Sequence, residues 1–355
     1  MASLGNDSDR KKIIVNSNFL KKKGLCGLRN LGNTCFMNTI IQCLSNSIPF
    51  LKYTLEGNYL EDINEDKITS DLSYQWRIML INLWHKNAVY TPNTFLSTVQ
   101  DLARKKDYPE FTGLKQSDSQ EFLQFFLESL HDSVSREVNM SITGEPLNEF
   151  DKLAIEAYKS FKEFFKNDYS EIIKIFYGQF LSTNKRKNKE KITVSRNYDP
   201  FNILSLEITT ENGKNLNSLQ ECLDNFTKLE VVSDELTRQI KFWSLPNILI
   251  IMFKRFKDHD IHQNRNSKIE NLVSYPLDNL DLSKYVIGYN SDSYVYDLFG
   301  IANHGGNSNW GHYWAYIRNS DNNWYKYNDH TVSTCQLEDI VSSEAYCLFY
   351  AKKGI

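Results

Sequence analysis

The feature that most constrains this chain is a change of hydrophobic period midway along it. Up to about Asn167 the apolar residues recur at helical spacing, as in Leu72-Trp76-Met79-Leu80-Leu83-Trp84 and Phe95-Val99-Leu102 after Pro92. A longer helix is expected from near Asp118, with Phe122, Phe125, Phe126, Leu130 and Val134 on one face. Another is expected over Glu149 to Asn167. From Ile175 the segments become short, alternating or wholly apolar, and are bounded by Gly, Asn, Asp and Pro. Ile192-Val194, Phe201-Ile208, Ile240-Trp243, Ile248-Phe253, Tyr294-Ile301, His312-Ile317, Asn323-Tyr327 and Tyr346-Ala351 read as strands of a largely antiparallel sheet. Helices first and strands second imply an α+β fold.

Within the helical half, the stretch Gly27-Leu28-Arg29-Asn30-Leu31-Gly32-Asn33-Thr34-Cys35-Phe36-Met37-Asn38-Thr39-Ile40-Ile41-Gln42-Cys43-Leu44-Ser45 is small and polar at first and helical afterwards. Cys35 falls where loop becomes helix, with Asn33 or Thr34 available as the cap. Free amide N–H groups at a helix start favour a thiolate, which is the nucleophilic form. Asn30 carries an amide donor on the same loop, where it could face an oxygen turning negative as a thiolate attacks a carbonyl. Cysteine is among the most often buried residue types, and Cys43, two turns on, fits that ordinary role. The balance for Cys35 shifts with a second segment, Asn303-His304-Gly305-Gly306-Asn307-Ser308-Asn309-Trp310-Gly311-His312-Tyr313-Trp314-Ala315-Tyr316, followed by Trp324-Tyr325-Lys326-Tyr327-Asn328-Asp329.

These two segments resemble the signature boxes of the ubiquitin-specific proteases, a papain-like class of cysteine deubiquitinases. Gln116-Ser117-Asp118-Ser119-Gln120-Glu121-Phe122-Leu123 and Leu245-Pro246-Asn247-Ile248-Leu249-Ile250-Ile251-Met252-Phe253-Lys254-Arg255-Phe256 resemble two further boxes, and all four stand in the family's order. The likeness runs from about Gly24 to Lys352. It implies a papain-like catalytic domain over residues 24–352, with a finger-like β extension. The preceding residues 1–23 are polar and are expected to form a flexible tail.

A thiol protease needs a nucleophile, a base, a group that orients the base, and donors for the oxyanion. The resemblance gives Cys35 the first role and His312 the second, with His304 the better structural histidine. Asn328 is expected to orient His312 by accepting from its Nδ1–H, leaving Nε2 for the sulfur. Asp329, its neighbour, is expected to add charge near the pair. Ubiquitin ends in Leu-Arg-Leu-Arg-Gly-Gly, and the family grips that tail with an acidic stretch. Gln116, Asp118 and Glu121 match it, although Asp118 and Glu121 also read as helix capping. Trp310 and Tyr313 are expected walls of a channel too narrow for anything but the double glycine. His304 to Trp310 and Lys257 to Lys268 are the expected mobile loops over it.

The chain departs from the family in one place. Many members carry two C-x-x-C pairs holding a structural zinc at the fingertip. Ser182 to Asn188 and Phe226 to Leu236, where they would fall, contain no cysteine, which rules out a tetrahedral thiolate site there. No cofactor and no metal are expected. The basic run in Thr183 to Lys191 lacks interleaved aromatics and reads as a solvated hairpin tip, not a nucleic-acid patch. The net charge of −3 agrees. The N-terminus lacks a signal-peptide core, and the apolar runs are too short to span a bilayer. The expected partners are therefore ubiquitin and ubiquitinated proteins, with neither nucleic acid nor membrane. The six cysteines form no C-x-x-C pair and read as reduced thiols, which places the chain in the cytoplasm, the nucleus or both, as a monomer. An inactive ubiquitin-binding protein of the same fold, and a protease for another ubiquitin-like modifier, are the alternatives.

Overall fold

The computed structural model describes residues 11–188, 191–256, 268–307 and 310–355. The helical half is built on the helix Cys35–Ser45, every residue of which is buried. Ile48–Glu56 and Ser119–Val134 pack on it, and Ser70–His85 packs on both of these and on Asn93–Lys105. Phe36, Phe111, Phe122 and Phe126 interlock in edge and stacked contacts beneath it. Burying such rings is the largest apolar gain available to a lobe of short helices.

The strand half forms two sheets. In the larger, the order is Thr331–Thr334, Trp324–Asn328, Gly311–Arg318, Val295–Gly306, Ala345–Lys352, Ile248–Lys254 and Ile203–Glu207, with Leu280–Asp281 also pairing to Val295–Gly306. All neighbours are antiparallel except Ile203–Glu207, which runs parallel to Ile248–Lys254. One face of this sheet packs on the helical lobe through Ala302, Tyr313, Ala315, Ile317, Cys347 and Phe349. The other face carries Ile301, Tyr316, Leu348 and Tyr350 against the helix Leu219–Thr227 and the segments around Tyr275 and Tyr285. Covering on both faces explains why Ile248 to Phe253 is apolar throughout instead of alternating.

The smaller sheet is the finger-like extension, ordered Lys191–Phe201, Gly178–Asn188, Leu236–Ser244 and Glu230–Ser233, all antiparallel. The helix Glu149–Phe165 packs against its base through Ala154, Ala157, Leu181, Tyr198 and Trp243. Thr183 to Asn188, expected as a hairpin tip, is strand. Thr183 pairs with Arg196 on one side and Gln239 on the other. The residues that would close the hairpin, 189–190, lie outside the described residues, as does 257–267 of the expected mobile loop. Next to the second place where the family's zinc pairs would fall, Arg238 donates from Nε and Nη2 to Glu230 Oε2 across the outer strand pair, at 3.0 and 2.8 Å. Among the described residues no group of three or more His, Cys, Asp or Glu gathers closely enough to hold a metal.

Three differences from the expected layout have physical causes. The helix Glu171–Phe176 extends the helical lobe past the start of the strand pattern. The helix Leu219–Thr227 interrupts the strand half, capped by Ser218, whose hydroxyl accepts from the Glu221 N–H. Residues 11–23, expected as part of a flexible tail, lie along the body. Val15 is buried, the Ile13 N–H donates to the Leu55 carbonyl, and the Arg77 guanidinium donates to the Lys11 carbonyl. Residues 1–10 lie outside the described residues.

Candidate active site

Cys35 begins its helix at the edge of the helical lobe, and Thr34 occupies the cap position without donating or accepting a capping bond there. The Thr34 hydroxyl instead accepts from the Leu31 N–H at 3.0 Å and tightens the preceding turn. Gly32 and Asn33 both take positive φ in that turn, the conformation that glycine and asparagine adopt at least cost. Across the cleft, Gly311–Arg318 brings His312 to the sulfur, with which it shares a hydrogen bond.

The second ring nitrogen of His312 is held by Asn328 on the adjacent strand: His312 Nε2 lies 2.6 Å from Asn328 Oδ1. The pairing corrects the expected ring orientation. Nε2, not Nδ1, meets the asparagine, which leaves Nδ1 for Cys35. The register places Asn328 on the adjacent strand one step past the Ala315–Tyr327 pair, within reach of the ring. Trp314 lies nearly parallel to the imidazole, with centroids 6.3 Å apart. The His312 pKa is pushed up to about 9, first by the bond to Cys35, against the opposing effect of burial, with Asn328 and the Asp329 charge adding to the rise. His304, the histidine expected to be structural, is buried, lies tilted against the Tyr313 ring with centroids 4.6 Å apart, and is depressed to about 4, first by burial. It is therefore neutral at any working pH.

Asp329 follows in a left-handed conformation, φ 49°, so the chain turns at once after Asn328. Its two carboxylate oxygens accept from Asn30 Nδ2 at 3.0 Å and from Asn38 Nδ2 at 2.8 Å, and its carbonyl accepts from the Leu28 N–H. Asp329 thus sits on the cysteine loop and not on the imidazole. Asn30 is clamped by this contact and by its own Oδ1, which accepts from the Gly32 and Thr34 N–H groups. One of its two amide hydrogens is committed to Asp329. Asn38 was not singled out by sequence. Its signal was a polar amide three residues after the cysteine, not distinguished from Thr39, Gln42 and Ser45, which are buried on the same helix.

The expected tail contacts fall into two groups. Asp118 caps the helix Ser119–Val134, accepting from the Gln120 and Glu121 N–H groups at 2.7 and 3.2 Å. Its other oxygen accepts from Tyr346 Oη at 2.9 Å and Tyr313 Oη at 3.5 Å. Burial raises its pKa above the ordinary carboxylate value despite these four donors. Gln116 faces the sheet: its Nε2 donates to the Gly311 carbonyl at 2.9 Å and its Oε1 accepts from the Gly311 N–H at 3.3 Å. Glu121 is exposed beside Asp118, and burial and that neighbouring charge raise its pKa. Tyr313 is buried against Asp118, whereas Trp310 projects into solvent with 75% of its surface exposed. His304 to Gly306, expected in a mobile loop, is the end of a paired strand. Ser308 and Asn309 lie outside the described residues.

A cysteine at a helix start, facing a strand-borne histidine whose far nitrogen is fixed by an asparagine, defines a papain-like cysteine peptidase architecture. The profile of the ubiquitin carboxyl-terminal hydrolase family matches residues 26–350. The chain belongs to that family. It is 33% identical over 347 residues to human ubiquitin carboxyl-terminal hydrolase 2, covering 92% of this chain and 55% of the relative. It is 31% identical over 367 residues to Drosophila melanogaster ubiquitin carboxyl-terminal hydrolase Usp2, covering 98% of this chain and 37% of the relative. The chain therefore spans about half or less of the length of these relatives. Among solved structures, the Ubp8-Sgf11-Sgf73-Sus1 SAGA DUB module superposes with a TM-score of 0.70 at 26% identity, covering 97% of this chain and 70% of that one. The same module bound to monoubiquitin gives 0.69 at 23% identity, covering 98% and 72%, and bears on the fold alone.

Proposed function

We propose that this chain is a thiol-dependent deubiquitinase that hydrolyses the peptide or isopeptide bond after the C-terminal glycine of ubiquitin. The observation that carries the reading is the hydrogen-bonded series Cys35, His312 and Asn328 in a chain of this family. Cys35 attacks the glycine carbonyl as a thiolate while His312 holds the proton as imidazolium. His312 then gives that proton to the leaving amine as the C–N bond breaks, producing a thioester and a free amine. Water, deprotonated by the now neutral His312, attacks the thioester and releases the glycine carboxylate and the thiol. Asn30 uses one amide hydrogen on Asp329 and offers the other to the oxyanion.

Asn328 keeps the imidazole edge-on to the sulfur without adding a charge of its own. Asp329 supplies the nearby negative charge and holds Asn30. Asp118, Glu121, Gln116, Trp310 and Tyr313 belong to the wall along which the ubiquitin tail runs. Working as a monomer in the cytoplasm or nucleus is part of the same reading, and the six free cysteines support a reducing compartment.

The test is a ubiquitin C-terminal probe bearing a thiol-reactive group. Labelling at Cys35, lost in Cys35→Ser with ubiquitin binding retained, is the expected result. A folded protein that binds ubiquitin but is not labelled would make this an inactive ubiquitin-binding protein. Labelling by a probe of another ubiquitin-like modifier in preference to ubiquitin would change the substrate.

A further inference from the structure

The segment Leu114 to Gln116 touches both halves of the reacting pair's framework. On one side, Asn33 Nδ2, two residues before Cys35, donates to the Leu114 carbonyl at 2.8 Å. The Leu114 side chain lies against Gly32, where an added Cβ would meet it at 3.4 Å. On the other side, the Gln116 carboxamide pairs in both directions with Gly311, the residue before His312. The Gly311 peptide has little freedom to rearrange on its own. His304 Nε2 would lie 2.0 Å from a Cβ at this position, so the imidazole of one histidine is seated directly on the backbone of the next box.

The geometry points to Leu114–Gln116 as a spacer that sets the gap between nucleophile and base, with Gln116 as a positioning residue for His312. Gln116 fills this role before any substrate is present, through a carboxamide that matches the donor and acceptor of one peptide unit. A bond at each end of three residues fixes a separation that neither lobe fixes alone. The sulfur belongs to the helical lobe and the imidazole to the sheet. Small shifts between them matter, since an ångström of misplacement costs a reaction on the order of 100-fold.

The inference rests on Cys35 and His312 being the reacting pair, but not on ubiquitin being the substrate. Its test therefore uses a small reagent. The rate of Cys35 alkylation by iodoacetamide is measured against pH for wild type, Gln116→Ala and Gln116→Met, the last keeping the shape without the hydrogen bonds. Asn33→Gly removes the bond at the other end and keeps the positive φ of that position. Melting temperatures and kcat and KM on a ubiquitin substrate are measured alongside.

The expected result is alkylation slowed about 3- to 10-fold near neutral pH in each variant, with the low-pH rise of its profile moved to higher pH, because a displaced imidazolium stabilises the thiolate less. The kcat falls similarly and KM stays within about twofold. Gln116→Ala combined with Asn33→Gly should be little worse than either alone, because both break one spacer. Wild-type alkylation and pH profile in the Gln116 variants would overturn the inference. A raised KM with that outcome would leave Gln116 as a contact of the substrate tail only. Slow alkylation at Cys35 in wild type, rising only around the ordinary thiol pKa of about 8.5, would overturn the reading of the reacting pair itself.

Discussion

His312 carries the clearest electrostatic signature in the molecule. Its pKa, raised to about 9 chiefly by the bond to Cys35, keeps the imidazolium populated well above neutrality. A histidine whose folded value exceeds its unfolded one adds stability fully present below about pH 6.5 and lost as pH climbs through about 9. The melting temperature of wild type should therefore exceed that of His312→Gln most at low pH, and the difference should shrink across that window. In the pH–rate profile the upper limb should fall near 9. Asn328→Asp should move it higher, because a carboxylate favours imidazolium, and Asn328→Ala should move it lower and reduce kcat. An unmoved limb in both variants would mean that another group titrates there.

Asp329 supports a second prediction at the same scale. Asp329→Ala removes the acceptor for Asn30 and Asn38 together and places alanine at a positive φ. The cost should be about 1–3 kcal/mol by chemical denaturation, with kcat reduced through a loosened Asn30. Asp329→Asn tolerates the backbone and isolates the loss of charge and acceptor. Equal kcat in Asp329→Asn and wild type would assign the residue a structural part only. The sequence made Cys35, His312 and Asn328 legible because each stands in a distinctive local context. The edge that the imidazole presents, and the partner that Asn30 takes, were not legible. Both depend on a strand register and a turn that join segments 299 positions apart.

Among the elements, the helix Ser119–Val134 is joined to the sheet at its first turn. Asp118 serves as its cap and as the acceptor of two tyrosine hydroxyls from different strands. Because burial raises its pKa, the charged form is the costly one, and its acceptor oxygens matter more than its charge. Asp118→Asn should therefore melt within about 1 kcal/mol of wild type, while Asp118→Ala should lose about 1–2 kcal/mol. Comparing KM in the two variants tests the tail contact separately, since only a charge-dependent contact to arginine would weaken in Asp118→Asn. In the finger, the Arg238–Glu230 pair is solvent-facing and should contribute no more than about 1 kcal/mol. Chelators should leave both folding and activity unchanged, and stoichiometric zinc in purified protein would reveal a site formed by other residues. The helix Leu219–Thr227 was missed in reading the sequence, although Ser218 followed by Glu221 is a recognisable start signal. Its apolar positions, Leu219, Cys222, Leu223 and Phe226, also recur at helical spacing, but only over two turns between strand patterns on either side.

At the scale of the whole molecule, the division into helical and strand halves was legible from period alone. The seam between them was not, because it joins residues far apart in the chain, through the apolar contacts of Ala302, Ala315, Ile317 and Phe349 and the polar ones of Asp329. Residues 11–23 show the same limit: Val15 carries no periodic signal, yet it is buried, and its N–H donates to Glu56 Oε2 at 2.7 Å. Deleting residues 1–15 should lower stability by about 1.5–3 kcal/mol, the value of one buried valine, as measured by thermal or urea unfolding. An unchanged melt would show that this segment detaches in solution.

The same seam orders events in time. Leu28 donates to the carbonyl of Asp329, Gly24 and Lys23 accept from Tyr327 and Asn319, and Leu20 accepts from Ser320. In order of synthesis the thiol of Cys35 precedes the imidazole of His312 by 277 residues. Throughout synthesis the emerging polypeptide therefore holds a cysteine without its base. Contacts of such long range also form late in folding. On the proposed reading, a chain wired in this way has no complete reacting pair until the closing step of its own assembly.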